Sequence, residues 1–413
     1  MHLVFDLDGT LFETGPGLLR AVSNLCRTLG VPQCPIKIVQ AQIGRTTGDF
    51  LSALFPGIAI SAEQIKAFRA DQVSAIRKYG RLYPEVRPLL EILVQQGHSL
   101  SICSNGSLSY IEEVLQATNS RQYFKHIFSA RQSGKSAVLS AIQKANRDTV
   151  YIGDTCSDYQ AALDAHTPFV FASYGYGDRN TQNGPAFVID SPGQLPEWTA
   201  LFSIFFEIEK HLLHPGNIIG INGVDTSGKT EFTARLSLFL TQRNIGNQII
   251  HIDDFHNPSA LRRRGANEVD AYYENAFDYQ RLIGKILDPW KKEKQLDAEL
   301  ACFNLETDDY DRMRTFRFAR EDVILLEGTL LFRPPLLPYI NKKIFLDIGF
   351  DEVLRRARIR DVPKYGPEFL QKYKDKYIPI QKRYLCKYQP KKAADLVIDN
   401  TDYRHPKILK EIE

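Results

Sequence analysis

Short apolar runs alternate along the chain with longer stretches in which apolar residues recur every three or four positions. Residues 3–7 are predicted to form a strand, and 13–82 then shows helical spacing in segments such as GLLRAVSNLCRTLGV and EQIKAFRADQVSAIRKYG. Strand-like runs return at 98–105, 149–154 and 168–175, with helical stretches between them. This alternation favours a parallel sheet flanked by helices, with 13–82 as a helical insertion after the first strand.

A second alternating series begins after residue 217. Its strand-like runs lie at 218–223, 247–255, 322–328, 342–348 and 394–400. We therefore predict an α/β chain with two doubly wound parallel-sheet domains, the first carrying the helical cap at 13–82. The predicted domains are 1–195 and 216–413, joined by a linker helix at 196–215, although that helix is equally compatible with being the last helix of the first domain.

Composition narrows the class of protein. The 413 residues include 43% hydrophobic and 24% charged residues, with a net charge of +3, which argues against an extended nucleic-acid surface. The six cysteines show no C-x-x-C pair or regular spacing, so neither a disulfide framework nor a zinc site is predicted. No signal peptide or long apolar segment is evident, and we expect a cytoplasmic protein without a membrane partner, its oligomeric state undetermined.

The first candidate site begins at the end of the first strand. Asp6 and Asp8 follow the apolar run and share one face of the strand, and Gly9 allows a sharp turn. Two neighbouring carboxylates at the carboxyl end of a parallel sheet repel each other unless a cation and a ligand compensate them. Mg²⁺ with a substrate phosphate meets that requirement.

Three further segments carry complementary chemistry. Ser104 and Asn105 end another strand with neutral hydrogen-bond donors suited to phosphate oxygens, and Lys135 can neutralise phosphate charge. Asp154 ends a third strand, and Asp158 follows one helical turn later. Because the carboxyl ends of parallel strands meet at one edge of a sheet, these side chains are predicted to converge.

With these segments in this order, residues 1–190 resemble haloacid-dehalogenase phosphatases of the phosphoglycolate-phosphatase type. The resemblance implies that Asp6 is the nucleophile that forms an aspartyl-phosphate and that Asp8 is the general acid and base. It also implies that Ser104 and Lys135 hold the phosphoryl group, and Asn105 is a further catalytic candidate. The implied Mg²⁺ ligands are Asp6, Asp8, Asp154 and Asp158.

The second candidate site is the segment GVDTSGKT at 223–230, a Gly-x-x-x-x-Gly-Lys-Thr sequence between a predicted strand and a predicted helix. Backbone N–H groups of such a loop bind phosphate, the lysine reaches the β- and γ-phosphates, and the threonine contacts Mg²⁺. We therefore predict an ATP site. Its residues are Gly223, Asp225, Thr226, Ser227, Gly228, Lys229 and Thr230.

The order of the following segments resembles uridine kinase and its relatives across about residues 216–402. The segments are HIDDFHNP, YYENAFDYQRL, ILLEGTLLFRP, LRRARIRDV and KKAADLVIDN. The resemblance implies Asp253 as the base that takes a proton from the acceptor hydroxyl, and Glu327 near Mg²⁺. It also implies a phosphate-covering lid with Arg356 and Arg360, and an acceptor pocket that includes His256, Tyr273 and Asp278.

The two resemblances together predict a bifunctional enzyme. One site would hydrolyse a small phosphate ester, and the other would transfer phosphate from ATP to a small alcohol, such as a nucleoside. One alternative is a polynucleotide kinase–phosphatase, which joins the same two activities in the same order. The modest charge and the cap over the first site argue against a nucleic-acid substrate. A second alternative is a sensor whose nucleotide site regulates the phosphatase without turnover.

Overall fold

The computed structural model describes residues 1–177 and 187–410. The chain divides into two compact units, Met1–Thr199 and Ala200–Glu413. Each unit has a predominantly parallel sheet with helices, which confirms the predicted α/β class. The two units are described separately.

The sheet of the first unit is parallel throughout its described pairings, in the order β3-β2-β1-β4-β5-β6. Its strands are β1 (His2–Phe5), β2 (Ser99–Ser104), β3 (His126–Ser129), β4 (Thr149–Gly153), β5 (Phe169–Ala172) and β6 (Val188–Ile189). The strand β1 is central and buried along its length, because parallel strands covered by helices on both faces need apolar side chains in both directions.

Helices fill the connections of this unit. They are α1 (Gly15–Leu29), α2 (Ile36–Gln40), α3 (Thr47–Leu54), α4 (Ala62–Tyr79), α5 (Val86–Gln95), α6 (Leu108–Ala117), α7 (Lys135–Ala145) and α8 (Cys156–Asp164). Helices α1 to α4 lie in the segment predicted as a helical cap. They have a core of their own in which Leu18 and Val22 of α1 cluster with Phe50 and Phe68, whose rings stack at 6.1 Å.

The sheet of the second unit has the order β14-β13-β12-β7-β11-β8. Its strands are β7 (Ile218–Gly223), β8 (Asn247–His251), β11 (Val323–Gly328), β12 (Lys342–Asp347), β13 (Leu396–Asp399) and β14 (Lys407–Lys410). The five predicted strands are parallel to their neighbours, and β14 pairs antiparallel with β13 at the edge. The sequence did not predict β14.

A separate antiparallel hairpin, β9 (Leu296–Asn304) and β10 (Asp309–Phe318), was also not predicted. The helices of this unit are short apart from α10, α15 and α18. They are α10 (Lys229–Gln242), α11 (Ser259–Arg262), α12 (Glu268–Asn275), α13 (Tyr279–Leu282), α14 (Asp288–Glu293), α15 (Phe350–Arg360), α16 (Val362–Tyr365), α17 (Phe369–Lys372), α18 (Ile378–Tyr388) and α19 (Pro390–Ala393).

Helix α9 (Leu195–His211) occupies the region in which the sequence predicts a linker helix. From Phe202 onward its aromatic side chains face α10, where Phe205 contacts the rings of both Phe232 and Phe239. Within residues 1–177 and 187–410, no helix has the length and apolar character that crossing a membrane requires.

Candidate active sites

The topology of the first unit brings three strand ends to one place. The strand β1 lies between β2 and β4, and Phe5 is level with Ile102 on one side and Ile152 on the other. The residues that follow these strands therefore emerge at the same edge of the sheet, as parallel strands require.

At this edge the carboxylates of Asp6, Asp154 and Asp158 form a buried group, with one oxygen of each within 4.8 Å of the others. The second oxygen of Asp6, Oδ2, is buried and has no hydrogen-bond partner among the described residues. Gly9 has φ of +88°, and a Cβ there would lie 2.1 Å from Asp154 Oδ2. The turn after β1 thus needs glycine both for its backbone conformation and for its approach to Asp154.

Lys135 lies inside this acidic group. Its Nζ is 2.9 Å from Asp6 Oδ1 and 2.5 Å from Asp158 Oδ1, and its side chain is 5% exposed. Asp158 also accepts hydrogen bonds from the hydroxyl of Tyr151 at 2.6 Å and from Thr155 at 2.5 Å. With its oxygens engaged in this way, Asp158 holds Lys135 in position, a partnership that the sequence did not predict.

Burial dominates the electrostatics of the group. Burial raises the pKa of Asp154 to about 7, with a further contribution from Asp158. Burial also raises the pKa of Asp6, against the attraction of Lys135. Burial opposes the charge of Lys135, but Asp158 and Asp6 outweigh it and raise the pKa of this lysine above its ordinary range. The site thus holds more carboxylates than described cations, which is the condition under which a divalent cation binds.

The carboxylate of Asp8 has different partners and is not part of the group formed by Asp6, Asp154 and Asp158. Its Oδ1 accepts hydrogen bonds from the hydroxyls of Thr14 at 2.5 Å and Tyr110 at 2.6 Å. Burial raises the pKa of Asp8, while these two hydrogen bonds lower it. Neither Thr14 nor Tyr110 was predicted, and Tyr110, at the start of α6, has no sequence motif that marks it.

Asp154 accepts hydrogen bonds from one backbone and one side-chain donor. Its Oδ2 accepts from the backbone N–H of Tyr176 at 2.7 Å, within the YGYG segment at 174–177, and its Oδ1 accepts from the Thr10 hydroxyl at 3.3 Å. These contacts hold the carboxylate toward Asp6.

Ser104 and Asn105 lie beside the site and both line a cavity of about 240 Å³ together with Asp6 and Asp8. The amide of Asn105 donates to the backbone oxygen of Gly44, in the cap, at 2.7 Å. Ser104 Oγ accepts from the N–H of Gly106 at 3.1 Å. In this conformation Asn105 therefore connects the sheet edge to the cap.

The cavity extends from the carboxylates to the cap. Its cap wall includes the apolar side chains of Phe50 and Phe68, and its rim carries Arg45, Arg69 and Arg131. All three arginines are exposed, and none of them forms an ion pair with a residue in the described part of the chain. The rim is therefore cationic, and its three arginine side chains can bind an anionic group.

In the second unit, β7 lies between β12 and β11, and residues 223–230 connect β7 to α10. Gly228 has φ of +89°, and the buried hydroxyl of Ser227 has no partner among the described residues. Lys229 Nζ donates to the backbone oxygen of Val224 at 2.8 Å, so the lysine lies along its own loop. Burial lowers the pKa of Lys229. This is the strand–loop–helix arrangement that binds phosphate through backbone N–H groups.

Side chains from two strand ends complete this site. The hydroxyl of Thr230 donates to Glu327 Oε1, at the end of β11, at 3.1 Å, and His251 Nδ1 lies 2.6 Å from the same oxygen. Asp253 follows β8, and its side chain is 64% exposed at 3.4 Å from His256 Nε2. Partial loss of hydration within the cleft opposes ionisation of Asp253, but His256 and Lys229 hold the pKa of Asp253 below its usual range.

The two arginines predicted for a lid lie near the phosphate-binding loop and are paired with protein groups. Arg356 donates to the backbone oxygens of Thr226 at 3.0 Å and Asn400 at 2.5 Å, so it joins the loop to the end of β13. Arg360 pairs with Asp361 at 2.8 Å and lies 3.0 Å from the Tyr373 hydroxyl. Both guanidinium groups thus have protein partners in this conformation.

The structure does not gather every residue of the predicted acceptor pocket. Asp278 accepts from the N–H of Arg281 and caps α13, and Tyr273 is packed in the core with Arg333 over its ring. His256 is buried and stacks on Phe277, and its Nε2 lies 3.4 Å from Asp253 Oδ1.

Comparisons with known proteins match the two units separately. Residues 3–172 match the family model described as haloacid dehalogenase-like hydrolase, and residues 218–404 match the phosphoribulokinase/uridine kinase family. A phosphoglycolate phosphatase of Pseudomonas fluorescens is 30% identical over 206 residues, 46% of this chain and 75% of that protein. One from Vibrio parahaemolyticus is 26% identical over 48% of this chain and 96% of that protein.

Solved structures similar to this chain include a possible uridine kinase from Bacillus stearothermophilus. It is 25% identical with a TM-score of 0.40, and the match covers 48% of this chain and 97% of that one. Another is a predicted phosphoglycolate phosphatase from Haemophilus somnus. It is 21% identical with a TM-score of 0.44, and the match covers the same shares of the two chains.

Proposed function

Because the chain belongs to the haloacid dehalogenase-like hydrolase family in its N-terminal part and has a phosphoribulokinase/uridine kinase domain in its C-terminal part, we propose that it is a bifunctional enzyme. The first unit hydrolyses a small phosphate monoester through an aspartyl-phosphate. The second transfers the terminal phosphate of ATP to a small alcohol.

The buried group of Asp6, Asp154 and Asp158 around Lys135 carries this proposal. Its residues fit Mg²⁺, because Asp6 Oδ2 is buried and has no hydrogen-bond partner among the described residues, and burial raises the pKa of the nearby Asp154 to about 7, as expected for a carboxylate that lacks a counter-charge. Asp6 and Asp154 would hold the ion, which would supply charge neutralisation of the substrate phosphate and keep Asp6 ionised.

The chemistry follows from Asp6 and Asp8. A carboxylate oxygen of Asp6 attacks phosphorus, the bond from phosphorus to the ester oxygen breaks, and Asp8 gives its proton to the leaving alcohol. Water then attacks the phosphorus of the aspartyl-phosphate, Asp8 takes a proton from that water, and phosphate and free Asp6 result. The raised pKa of Asp8 supports its first role, and Lys135 neutralises Asp6 and the incoming phosphate.

The cationic rim supports a narrower substrate class. Arg45, Arg69 and Arg131 lie on the rim of the cavity whose floor holds Asp6 and Asp8. An ester with a second anionic group would place that group at the rim while its phosphate meets the floor. Phosphoglycolate, named for the relatives of this chain, has this form.

At the second site, Lys229 and the loop N–H groups would bind the ATP phosphates, and Thr230 with Glu327 would hold Mg²⁺. The ion would neutralise charge on the transferring phosphate. Asp253, ionised and solvent-exposed, is suited to accept the proton of the acceptor hydroxyl as that oxygen attacks.

Reciprocal variants of the full chain test the proposal. Asp6→Asn should lower hydrolysis of p-nitrophenyl phosphate and phosphoglycolate by at least about 10³-fold and leave ATP-dependent transfer within about twofold. Lys229→Ala should lower transfer from ATP by at least about 10²-fold and leave hydrolysis unchanged. Borohydride reduction during turnover should convert residue 6 to homoserine if the aspartyl-phosphate forms.

Two results would contradict the proposal. Hydrolysis that survives Asp6→Asn would exclude Asp6 as the nucleophile. A wild-type protein that consumes ATP but phosphorylates no acceptor in a panel of nucleosides, sugars and polyols would exclude the kinase activity and favour a nucleotide-responsive phosphatase.

A further inference from the structure

The segment that follows β5 passes very close to Asp154. A Cβ added to Gly175 would lie 2.3 Å from the Cβ of Asp154, and one added to Gly177 would lie 1.9 Å from the backbone oxygen of Asp154. Both distances are too short for a side chain, so the two glycines allow this approach. Tyr176 lies between them, and its N–H donates to Asp154 Oδ2 at 2.7 Å. The backbone of Tyr176 therefore orients this carboxylate.

The side chain of Tyr176 contacts the cap. Its hydroxyl accepts a hydrogen bond at 2.7 Å from the N–H of Gly15, the first residue of the cap helix α1. Its ring packs against the core of the cap, which contains Leu18 and Phe50. One residue thus contacts both a carboxylate of the acidic group and the beginning of the cap.

Helix α1 lacks an ordinary N-terminal cap. The first N–H groups of a helix have no partner within the helix, and the side chain of the preceding residue commonly provides one. Thr14 occupies that position, but its hydroxyl makes no capping hydrogen bond and instead donates to Asp8 Oδ1 at 2.5 Å. The Tyr176 hydroxyl therefore provides an acceptor that Thr14 does not.

The beginning of α1 consequently connects two carboxylates of the site. Thr14 donates to Asp8, and the next residue, Gly15, donates to the side chain whose backbone holds Asp154. Because Thr14 and Gly15 are consecutive, the place of the Thr14 hydroxyl depends on where α1 begins. Loss of the Tyr176 hydroxyl would release the N–H of Gly15 and weaken the contact of Thr14 with Asp8.

The neighbouring Tyr174 attaches the segment independently of the Tyr176 hydroxyl. Its own hydroxyl donates to the backbone oxygen of Thr10 at 2.9 Å. Its ring contacts that of Tyr83, which lies beyond the end of α4, with 5.3 Å between the ring centroids. The N–H of Tyr176 should therefore still reach Asp154 when the hydroxyl is removed.

We propose that Tyr176 is a positioning residue of the phosphatase site. Its hydroxyl fixes the beginning of α1, so that Thr14 keeps Asp8 oriented for proton transfer, and its N–H connects this arrangement to Asp154. The inference deepens the proposed phosphatase function and rests on it.

The first test compares Tyr176→Phe with wild type in the full chain, on phenyl phosphate and p-nitrophenyl phosphate. Phenylalanine keeps the ring and the N–H and removes only the hydroxyl. Phenolate is the more basic leaving group and depends more on the proton of Asp8. We expect kcat/KM to fall about tenfold for phenyl phosphate and by no more than about threefold for p-nitrophenyl phosphate. A general loss of structure would lower both equally.

The second test measures hydrogen exchange at the beginning of α1 and does not depend on turnover. In wild type, Mg²⁺ at a concentration that calorimetry shows to be saturating should slow exchange in the peptide 13–22 at least about threefold, because Asp154 and α1 share Tyr176. In Tyr176→Phe, Mg²⁺ should change this exchange by less than about 1.5-fold. The beginning of α4 should not respond to Mg²⁺ in either protein, because Ser61 and Gln64 form a capping box of their own.

The matched control is Tyr123→Phe, which removes a phenol hydroxyl of the same unit that donates to Glu91 of α5 at 2.9 Å. It should match wild type in both tests, and a loss equal to that of Tyr176→Phe would overturn the inference. Equal losses for the two esters in Tyr176→Phe would also overturn it, as would a wild-type α1 that does not respond to Mg²⁺ or a response that persists in Tyr176→Phe. A wild type that hydrolyses neither ester overturns the proposed phosphatase function and this inference together.

Discussion

Replacing Lys135 with methionine tests whether the buried acidic group depends on one cation. Methionine keeps much of the side-chain length but removes the charge that lies 2.9 Å from Asp6 and 2.5 Å from Asp158. The lysine side chain is 5% exposed, so water cannot replace it without rearrangement. Breaking a buried ion pair in this way costs about 3–5 kcal/mol, and the loss should fall in the free energy of unfolding of the first unit.

The sign of the pH dependence follows from the carboxylates that remain. Without Lys135, the folded-state pKa of Asp6 and Asp158 must rise, because burial and mutual repulsion then act without a counter-charge. A buried acid with a raised pKa destabilises the fold increasingly as pH rises from the unfolded-state value through the folded-state value. The defect of Lys135→Met should therefore be larger at pH 8 than at pH 6.

The assay is urea unfolding followed by the fluorescence of Trp198, with Trp290→Phe in every protein to remove the signal of the second unit. The control is Lys144→Met, an exposed lysine on the same helix α7, which should stay within about 0.5 kcal/mol of the parent. In thermal unfolding, the loss corresponds to roughly 10 °C for a unit of this size.

A double-mutant cycle completes the test. In an Asp158→Asn background, Lys135→Met should cost at least about 1 kcal/mol less than it does alone, because one of the two uncompensated charges is already absent. Two results would refute the reasoning: a Lys135→Met loss no larger than that of Lys144→Met, or a loss that is the same in both backgrounds.

Four further expectations follow from the structure. Tyr110→Phe removes a hydrogen-bond donor to the Asp8 carboxylate, so the pKa of Asp8 should rise. The alkaline limb of the pH profile of phosphatase kcat/KM should then move up by about one pH unit. An unmoved limb would exclude Asp8 as the acid. Burial lowers the pKa of His2 to about 4, so the unfolded chain takes up a proton first as pH falls below about 6.5. Wild type should therefore lose about 1–2 kcal/mol more than His2→Asn between pH 7 and pH 5 in urea unfolding, and equal losses would contradict this. Arg69→Ala should raise KM for phosphoglycolate about tenfold and leave KM for p-nitrophenyl phosphate unchanged, and equal effects on both esters would place Arg69 outside substrate selection. Because burial raises the pKa of Asp154 to about 7, Mg²⁺ must displace a proton from this carboxylate below neutral pH. Calorimetry should therefore show an Mg²⁺ affinity that falls as pH decreases below 7 and stays constant above it. An affinity that does not change with pH would argue against Asp154 as a ligand.

The strand ends could be predicted from the sequence, because each acidic motif follows an apolar run and parallel strands align their carboxyl ends. Asp6 and Asp154 are separated by nearly 150 positions, yet the pattern of alternating strands and helices was enough to predict their approach. The same argument predicted where residues 223–230 and Glu327 lie. Local pattern and parallel topology are sufficient for groups attached to strand ends.

Partners supplied by helices and loops could not be predicted in this way. Tyr110 lies on a helix 102 positions away from Asp8 in sequence. The ion pair of Lys135 with Asp158 is visible only in the folded structure, because the sequence indicated phosphate as the partner of Lys135. Their contacts depend on helix rotation and on the depth of burial, and neither leaves a periodic trace in the sequence.

The hairpin of β9 and β10 shows a different limit. Its strands carry many charged residues, and most positions of β10 are exposed. The apolar run at 300–303 in β9 is short, and β10 has no apolar run like those of the central strands. The hairpin is stabilised by tertiary contact, since Phe316 and Phe318 at the end of β10 pack into the core of the second unit.

The electrostatics of the two sites bear on how opposing activities can share one chain. If the product of the kinase were a substrate of the phosphatase, the net reaction of the two activities would be hydrolysis of ATP. On the proposed function, the arginine rim of the first site favours an ester with a second anionic group. A neutral alcohol phosphorylated at the second site gains one phosphate and no second anion, so it would leave the arginine rim unpaired. The rim would thus let the two proposed activities keep separate substrates without any communication between the sites.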